Sequence, residues 1–258
     1  MNLVFDHRMF RHINELAIKE HGRASWLFAL IERSLRSPFV YLPLSVFERI
    51  ATVILCLPIP VYSSLVYALV THMRGLPYFS GMYLRALYYR GKIGSMASNV
   101  FIDQNVFFAY PKGIALGEFC YIDKNVIIMS KTAKIGRRVH IAPRVFVSGG
   151  GDLEIEDYVG IATNANIITS TELLKDGARA SGPMTQPNER QVMRGKVHIK
   201  RDAFVGVNAT LLPGVTMGEG SVAGVGVILS RDTEAWSAHM APPPRRIPDR
   251  DPVRFSVD

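Results

Sequence analysis

The sequence predicts a three-sided parallel β-solenoid preceded by a helical, partly apolar region, and three observations carry that expectation. From Ile199 to Leu229 an apolar or small residue returns at every sixth position: Ile199, Val205, Leu211, Met217, Ala223 and Leu229. The text between them (IKRDAF, VGVNAT, LLPGVT, MGEGSV, AGVGVI) keeps one frame, tending to small in its second place and to Ala, Val or Ser in its fifth. The N-terminal part instead shows helical spacing and long uncharged runs. A period of six is neither helical nor a simple alternation. It suits a coil of three short strands and three tight corners, with the returning residue inward and the small fifth-place residue in the crowded corner.

Taken in order, residues 1–36 place Ile13, Leu16 and Ala17, then Leu27, Leu30 and Ile31, at helical spacing among His, Arg and Lys. No secretory leader is expected, because the start lacks an apolar run followed by a small-residue cleavage site. Ser37 to Phe47 and Ile50 to Met73 contain no Asp, Glu, Lys or Arg. The second run has the length of a membrane span, roughly 20 residues, but Pro58 and Pro60 interrupt it. It reads as two short apolar helices hinged at Leu57–Pro60 that lie in or dip into one leaflet. Arg33, Arg36, Arg49, Arg74, Arg85 and Arg90 would then face acidic headgroups. The competing reading is a helical cap that buries its apolar faces internally or against other copies of the chain.

The solenoid is expected to begin near Ile93, with inward positions at Ile102, Phe108, Leu116, Ile122, Ile128, Ile135, Ile141, Val147, Ile155, Ile161 and Ile167. Where the spacing stretches beyond six, the extra residues (YPKG, SKTAK, SGGGD) are turn formers and read as outward corner insertions. The period fails between Ile167 and Ile199, which marks one long inserted loop over 171–196, the usual place for a binding loop in a repeat protein. After Leu229 the repeat stops, and residues 231–258 read as a Pro- and Arg-rich tail packed across the last coil. The expected organisation is therefore a helical region over 1–92, the solenoid over 93–230 and the tail.

Composition narrows the partners. With 48% hydrophobic and 20% charged residues the chain is neither collagenous nor disordered. The net charge of +8 sits at the N-terminus, since residues 1–100 hold 11 Lys or Arg against 5 Asp or Glu and the rest hold 19 against 17. A membrane surface is the expected partner of that basic third, and no nucleic acid is expected. Cys56 and Cys120 match no metal-ligand spacing and read as buried reduced thiols, which favours the cytoplasm.

The hexapeptide frame from Ile199 to Leu229 resembles the hexapeptide-repeat acyltransferases, and that resemblance implies a fold, an assembly and a site. The fold would be an all-β left-handed parallel β-helix, against the usual right-handed crossover rule, and the assembly a homotrimer. An acyl-CoA, first of all acetyl-CoA, would lie in the groove between neighbouring solenoids. The matching cofactor positions are Gly206, Asn208, Ala223 and Gly224, with Ser230, Arg231, Arg245 and Arg246 placed to meet the adenosine phosphates. Where many members carry a catalytic histidine at the start of the long loop, this chain has Glu172, in the text IITSTE. A carboxylate is a weak base for a sugar hydroxyl, with an ordinary pKa near ~4.3, and suits an amine acceptor better. The loop also resembles a subset acting on nucleotide-linked amino sugars or surface-polysaccharide intermediates, with Asn188 and Arg190 in the segment GPMTQPNER toward the acceptor.

His140 and His198 are the imidazoles of the solenoid and its spare general bases. They lie 58 residues apart with no third partner, so no metal site is expected. The tail reads Met240-Ala-Pro-Pro-Pro-Arg245-Arg246, departing from the family's usual AGNPAK ending, which leaves the adenine end of the cofactor pocket open. The expectation is an acyl-CoA-dependent transferase acylating a nucleotide- or polyprenyl-linked sugar in surface polysaccharide assembly, at the cytoplasmic face of the membrane. The rival is a catalytically inert scaffold on the same membrane.

Overall fold

Isoleucine, valine and leucine at the returning positions bury themselves completely only if successive coils stack in register, and they do. The computed structural model describes residues 3–242 except 74, 77 and 181. Every expected inward residue from Ile93 to Leu229 is buried. Each such side chain contributes about 1.5–3 kcal/mol of transfer free energy, which sets the stacked column as the main source of stability. The residue two places earlier is buried as well, for example Val100, Cys120, Val139, Ala165, Ala203 and Ser221.

Three parallel walls result, forming a solenoid of about seven turns. The first wall holds Ser95–Met96, Ile114–Leu116, Thr132–Ile135, Asp152–Ile155, Val197–Ile199 and Thr216–Met217. The second holds Phe101–Ile102, Tyr121–Ile122, His140–Ile141, Gly160–Ile161, Phe204–Val205, Val222–Ala223 and Ala238–His239. The third runs from Phe107–Phe108 through Asn166–Ile168 to Ile228–Leu229. Ala238 pairs with Val222 and His239 with Ala223, so the tail adds a strand to the second wall and does not merely lie across the last coil.

Corners need one residue with left-handed backbone, and the sequence supplies mostly Asn, Asp or Gly there. Asn105, Asn125, Asn164, Asp202 and Asn208 have φ between 56° and 60°, a region short polar side chains tolerate. Phe119 and Arg138 hold the same conformation at φ 59° and 54° without that tolerance.

Among the described residues five helices precede the coils: α1 (His7–His21), α2 (Trp26–Arg36), α3 (Pro38–Leu55), α4 (Pro60–Met73) and α5 (Tyr78–Arg90). Asp6 caps α1 by accepting from the Arg8 amide at 2.8 Å, and Gly22 closes it in left-handed conformation. The segment before α1 is threaded into the junction with the solenoid. Asn99 N–H donates to the Val4 carbonyl at 2.8 Å, Asp6 N–H to Asn99 Oδ1 at 2.9 Å, and Val4 N–H to Glu48 Oε2 at 2.8 Å. Leu3, Val4, Phe5, Met9 and Phe10 form a second apolar core with Leu35, Ala86 and Leu87.

The uncharged run Ile50 to Met73 is split between Leu55 and Pro60, as the prolines require. Its first helix, however, starts at Pro38 and carries Glu48 and Arg49 inside it. Glu48, itself a good helix former, can be buried because its carboxylate is satisfied: Val4 N–H, Tyr83 Oη–H at 2.9 Å and Arg90 at 3.1 Å all donate to it. Of the arginines expected to face headgroups, Arg33, Arg36 and Arg49 are exposed. Arg85 is not, for it is buried and donates to the Ile102 and Leu76 carbonyls at 2.9 Å each. Arg90 is likewise engaged with Glu48. Arg74 lies outside the described residues, as do Arg245 and Arg246.

Candidate active site

The inserted loop is an arm. Ser170–Glu172 pairs antiparallel with Val192–Arg194, and two single-turn helices at Gly182–Met184 and Pro187–Glu189 build its outer part. Glu172 and Arg190, assigned separate tasks by the sequence, meet at its root: the Arg190 guanidinium donates to Glu172 Oε1. Glu172 Oε2 and Arg190 Nε are buried there without a partner. Asn188 is exposed on the arm, and Arg179 pairs with Glu189 at 3.4 Å.

His198 is on the first wall just after the arm rejoins the solenoid. Because Ile155 and Ile199 are paired across adjacent coils, Glu156 and His198 flank that rung and come together. His198 Nε2 lies 2.8 Å from Glu156 Oε1, and Glu156 Oε2 accepts from the Arg201 amide at 3.1 Å. The imidazole side chain is only 22% exposed. A carboxylate on one ring nitrogen fixes the ring's orientation and leaves Nδ1 available. Beside it Lys196 binds Glu154 and holds that carboxyl below the usual range. Glu156 escaped the sequence reading because its partner lies in the next coil; the signal was its place directly after an inward residue, mirroring His198 directly before one.

His140 stands on the second wall, away from this dyad. Its ring stacks on Tyr121 at 5.3 Å between centroids, and Nε2 is 3.6 Å from Asp123 Oδ2, too far for a hydrogen bond. Tyr121 donates to Asp103 at 3.2 Å, and burial, with the neighbouring Asp123 and Asp103 carboxylates, pushes its phenol well above its ordinary range. His140 faces α1 of its own chain across a cleft, not an open groove. Glu172, His140 and His198 therefore occupy three different elements.

The expected cofactor positions divide in the same way. Ala223 is an inward residue whose side chain lies in the core and whose carbonyl accepts from the Gly206 amide at 2.7 Å. Its side chain is thus not free to line a groove. A Cβ on Gly206 would come 2.7 Å from that carbonyl, and one on Gly224 would come 2.9 Å from the His239 carbonyl, so both glycines are required by the next coil. Asn208, Ser230 and Arg231 are exposed and can meet a ligand. Among the described residues no cluster of three or more His, Cys, Asp or Glu is placed to hold a metal. Both cysteines are free thiols, and burial pushes Cys120 up to about 12.

No family model matches the chain. It is 26% identical over 158 residues to dTDP-4-amino-4,6-dideoxy-D-glucose acyltransferase of Escherichia coli, spanning 60% of this chain and 82% of that protein. It is 28% identical over 139 residues to galactoside O-acetyltransferase of E. coli K12, spanning 54% of this chain and 55% of that one. Among solved structures it superposes on a point mutant of AntD, an N-acyltransferase from Bacillus cereus, bound to dTDP and coenzyme A, with a TM-score of 0.55. That match has 25% identity and covers 62% of this chain and 85% of AntD. A second AntD mutant, bound to dTDP-4-amino-4,6-dideoxyglucose and coenzyme A, matches with the same figures. The relatives of this β-solenoid are sugar acyltransferases, which is the class its hexapeptide repeat resembles.

Proposed function

We propose that the protein transfers an acyl group, acetyl first of all, from coenzyme A to the amino group of a nucleotide-linked sugar. The observation that carries the proposal is the His198–Glu156 pair on the wall beside the arm. The names and ligands of the E. coli and B. cereus relatives support a nucleotide-linked amino sugar as acceptor. In this reading His198 Nδ1 takes the proton from the acceptor nitrogen as that nitrogen attacks the thioester carbonyl. The C–S bond then breaks, and the coenzyme leaves as a thiol with the proton returned to sulfur. A backbone N–H at a coil corner is the donor type suited to the transient oxyanion. Glu172 is held by Arg190, so the pair acts as a preformed unit at the arm root that positions the acceptor.

Assembly supplies the rest of the site. The coils wind in the left-handed sense implied by the resemblance, and three chains associate so that Asn208, Ser230 and Arg231 reach a coenzyme lying between solenoids. The helical region rests on the cytoplasmic leaflet. Its support is α3, long and apolar enough to cross a membrane yet only 6% buried, with exposed Phe39, Leu42, Phe47, Ile50 and Val53. Acylated sugars made there would enter surface polysaccharide. Incubating the protein with acetyl-CoA and a panel of dTDP-linked amino sugars, read by mass spectrometry, tests the central step. The expected product is an amide on one member of the panel; no amide with any member would contradict the proposed acceptor.

A further inference from the structure

Between α1 and the second wall runs a cleft whose two halves differ in chemistry. The mainly apolar half, a cavity of about 420 Å³, is lined by Met9, Ile13 and Leu16 of α1 facing Phe101, Phe119 and Val139 of the coils, with Tyr121 and His140 also on its lining. That volume falls within the about 300–1,000 Å³ of ordinary ligand pockets. The other half, about 390 Å³, adjoins it through His12, Phe119 and Arg138 and contains Arg8, Arg11 and Arg137 with Glu15 and Glu118. Three of these arginines are already matched: Arg8 to Asp6 and Glu118, Arg11 to Glu32, Arg137 to Asp157. Arg138 is not. Its guanidinium lies 4.8 Å over the Phe119 ring, and among the described residues it has no carboxylate partner. Phe119 and Arg138 are also the two residues of the apolar half with left-handed backbone, at corners of the kind that mostly use Asn, Asp or Gly.

We propose that this cleft binds a single-chain lipid phosphate. The chain lies in the apolar half and the phosphate meets Arg138 and His12 at the mouth of the basic half. Charge complementarity selects the head, because a guanidinium forms paired, charge-assisted bonds to phosphate oxygens. The aliphatic and aromatic lining selects the tail, since each buried CH₂ contributes about 0.8 kcal/mol. Continuity selects a lipid over a soluble anion. Leu16 at the cleft is half-exposed, and α2, packed against both α1 and α3, carries the exposed apolar residues Trp26, Leu27 and Leu30. A ligand seated here bridges helix and solenoid and stabilises their junction. The site is on a different wall from His198, and the proposal does not rest on acyl transfer.

The test uses the full chain and monomeric farnesyl phosphate as probe, with farnesol and inorganic phosphate as controls, read by calorimetric titration and by Tm. Farnesyl phosphate should bind and raise Tm. Arg138→Gln should weaken it at least tenfold while leaving farnesol binding unchanged, and Leu16→Trp, which fills the apolar half, should abolish both. Leu16→Asp at the same half-exposed position repeats the test should the tryptophan variant fail to fold. Retained binding of phosphatidylglycerol vesicles by these variants would support a site separate from general membrane contact. The proposal is overturned if inorganic phosphate binds as tightly as farnesyl phosphate, or if the variants bind farnesyl phosphate like the parent. It is equally overturned if vesicle binding is lost together with farnesyl phosphate binding, which would assign the anion site to bulk lipid.

Discussion

Asp6 shows how one carboxylate ties the helical region to the coils. Burial opposes its charge, but the Arg8 side chain and amide and the Asn99 side chain outweigh burial and hold the carboxyl below its ordinary value of 3.8. Because the folded-state pKa is the lower one, the stabilisation is complete above that ordinary value and is lost as pH falls through the folded pKa. Asp6→Ala removes the cap of α1 and one partner of Arg8, and should cost about 0.5–2 kcal/mol at neutral pH. Thermal melts of the variant and parent should converge as the pH is lowered through the folded pKa; an undiminished difference in acid would show that the carboxylate is not the source. At the same scale, the sequence named His198, Glu172 and Arg190 as chemically important, but not Glu156 and not that Glu172 and Arg190 pair. Spacing along the chain says nothing about which side chains meet across coils, and both partnerships are made between residues brought together only by the fold.

At the scale of elements, the six-residue period was legible because every turn of the solenoid meets the same packing problem, so each wall repeats one solution. All inward residues followed from it. The helices did not, for counting charges treats Glu48 and Arg85 as surface groups, whereas both are buried and hydrogen-bonded. The closing strand Ala238–His239 was also invisible, since a last coil makes no further repeat to set its period. For α3 the exposed apolar face leads to a direct expectation. Phe39 is 91% exposed and belongs to neither core. Replacing Phe39 and Phe47 by Glu should leave Tm near that of the parent and abolish co-sedimentation with anionic vesicles; undiminished co-sedimentation would contradict the leaflet reading. Removing residues 1–74 is the poorer test, because it strips Leu3, Val4 and Phe5 from the junction and uncovers Ala86 and Leu87.

At the scale of the whole molecule, a solenoid wall is a flat surface, and a flat surface makes a ligand groove only when another element or another chain faces it. The coenzyme positions read from the sequence accordingly separate into residues that the coils themselves require, Gly206, Ala223 and Gly224, and exposed ones, Asn208, Ser230 and Arg231. The first set keeps coils close; in the proposed assembly the second set meets an opposing surface from another chain. Analytical ultracentrifugation should therefore give a trimer, and a monomer that still transfers acyl groups would contradict the intersubunit groove.

The proposed chemistry depends most on the His198 imidazole acting as base. Steady-state transfer from acetyl-CoA to the acylated sugar identified in the screen, compared for the parent, His198→Ala and His140→Ala, measures that directly. His198→Ala should lower kcat by roughly 10²–10⁴ with the oligomer and Tm preserved, while His140→Ala should stay near the parent. Full turnover by His198→Ala, or a loss confined to His140→Ala, would contradict the assignment.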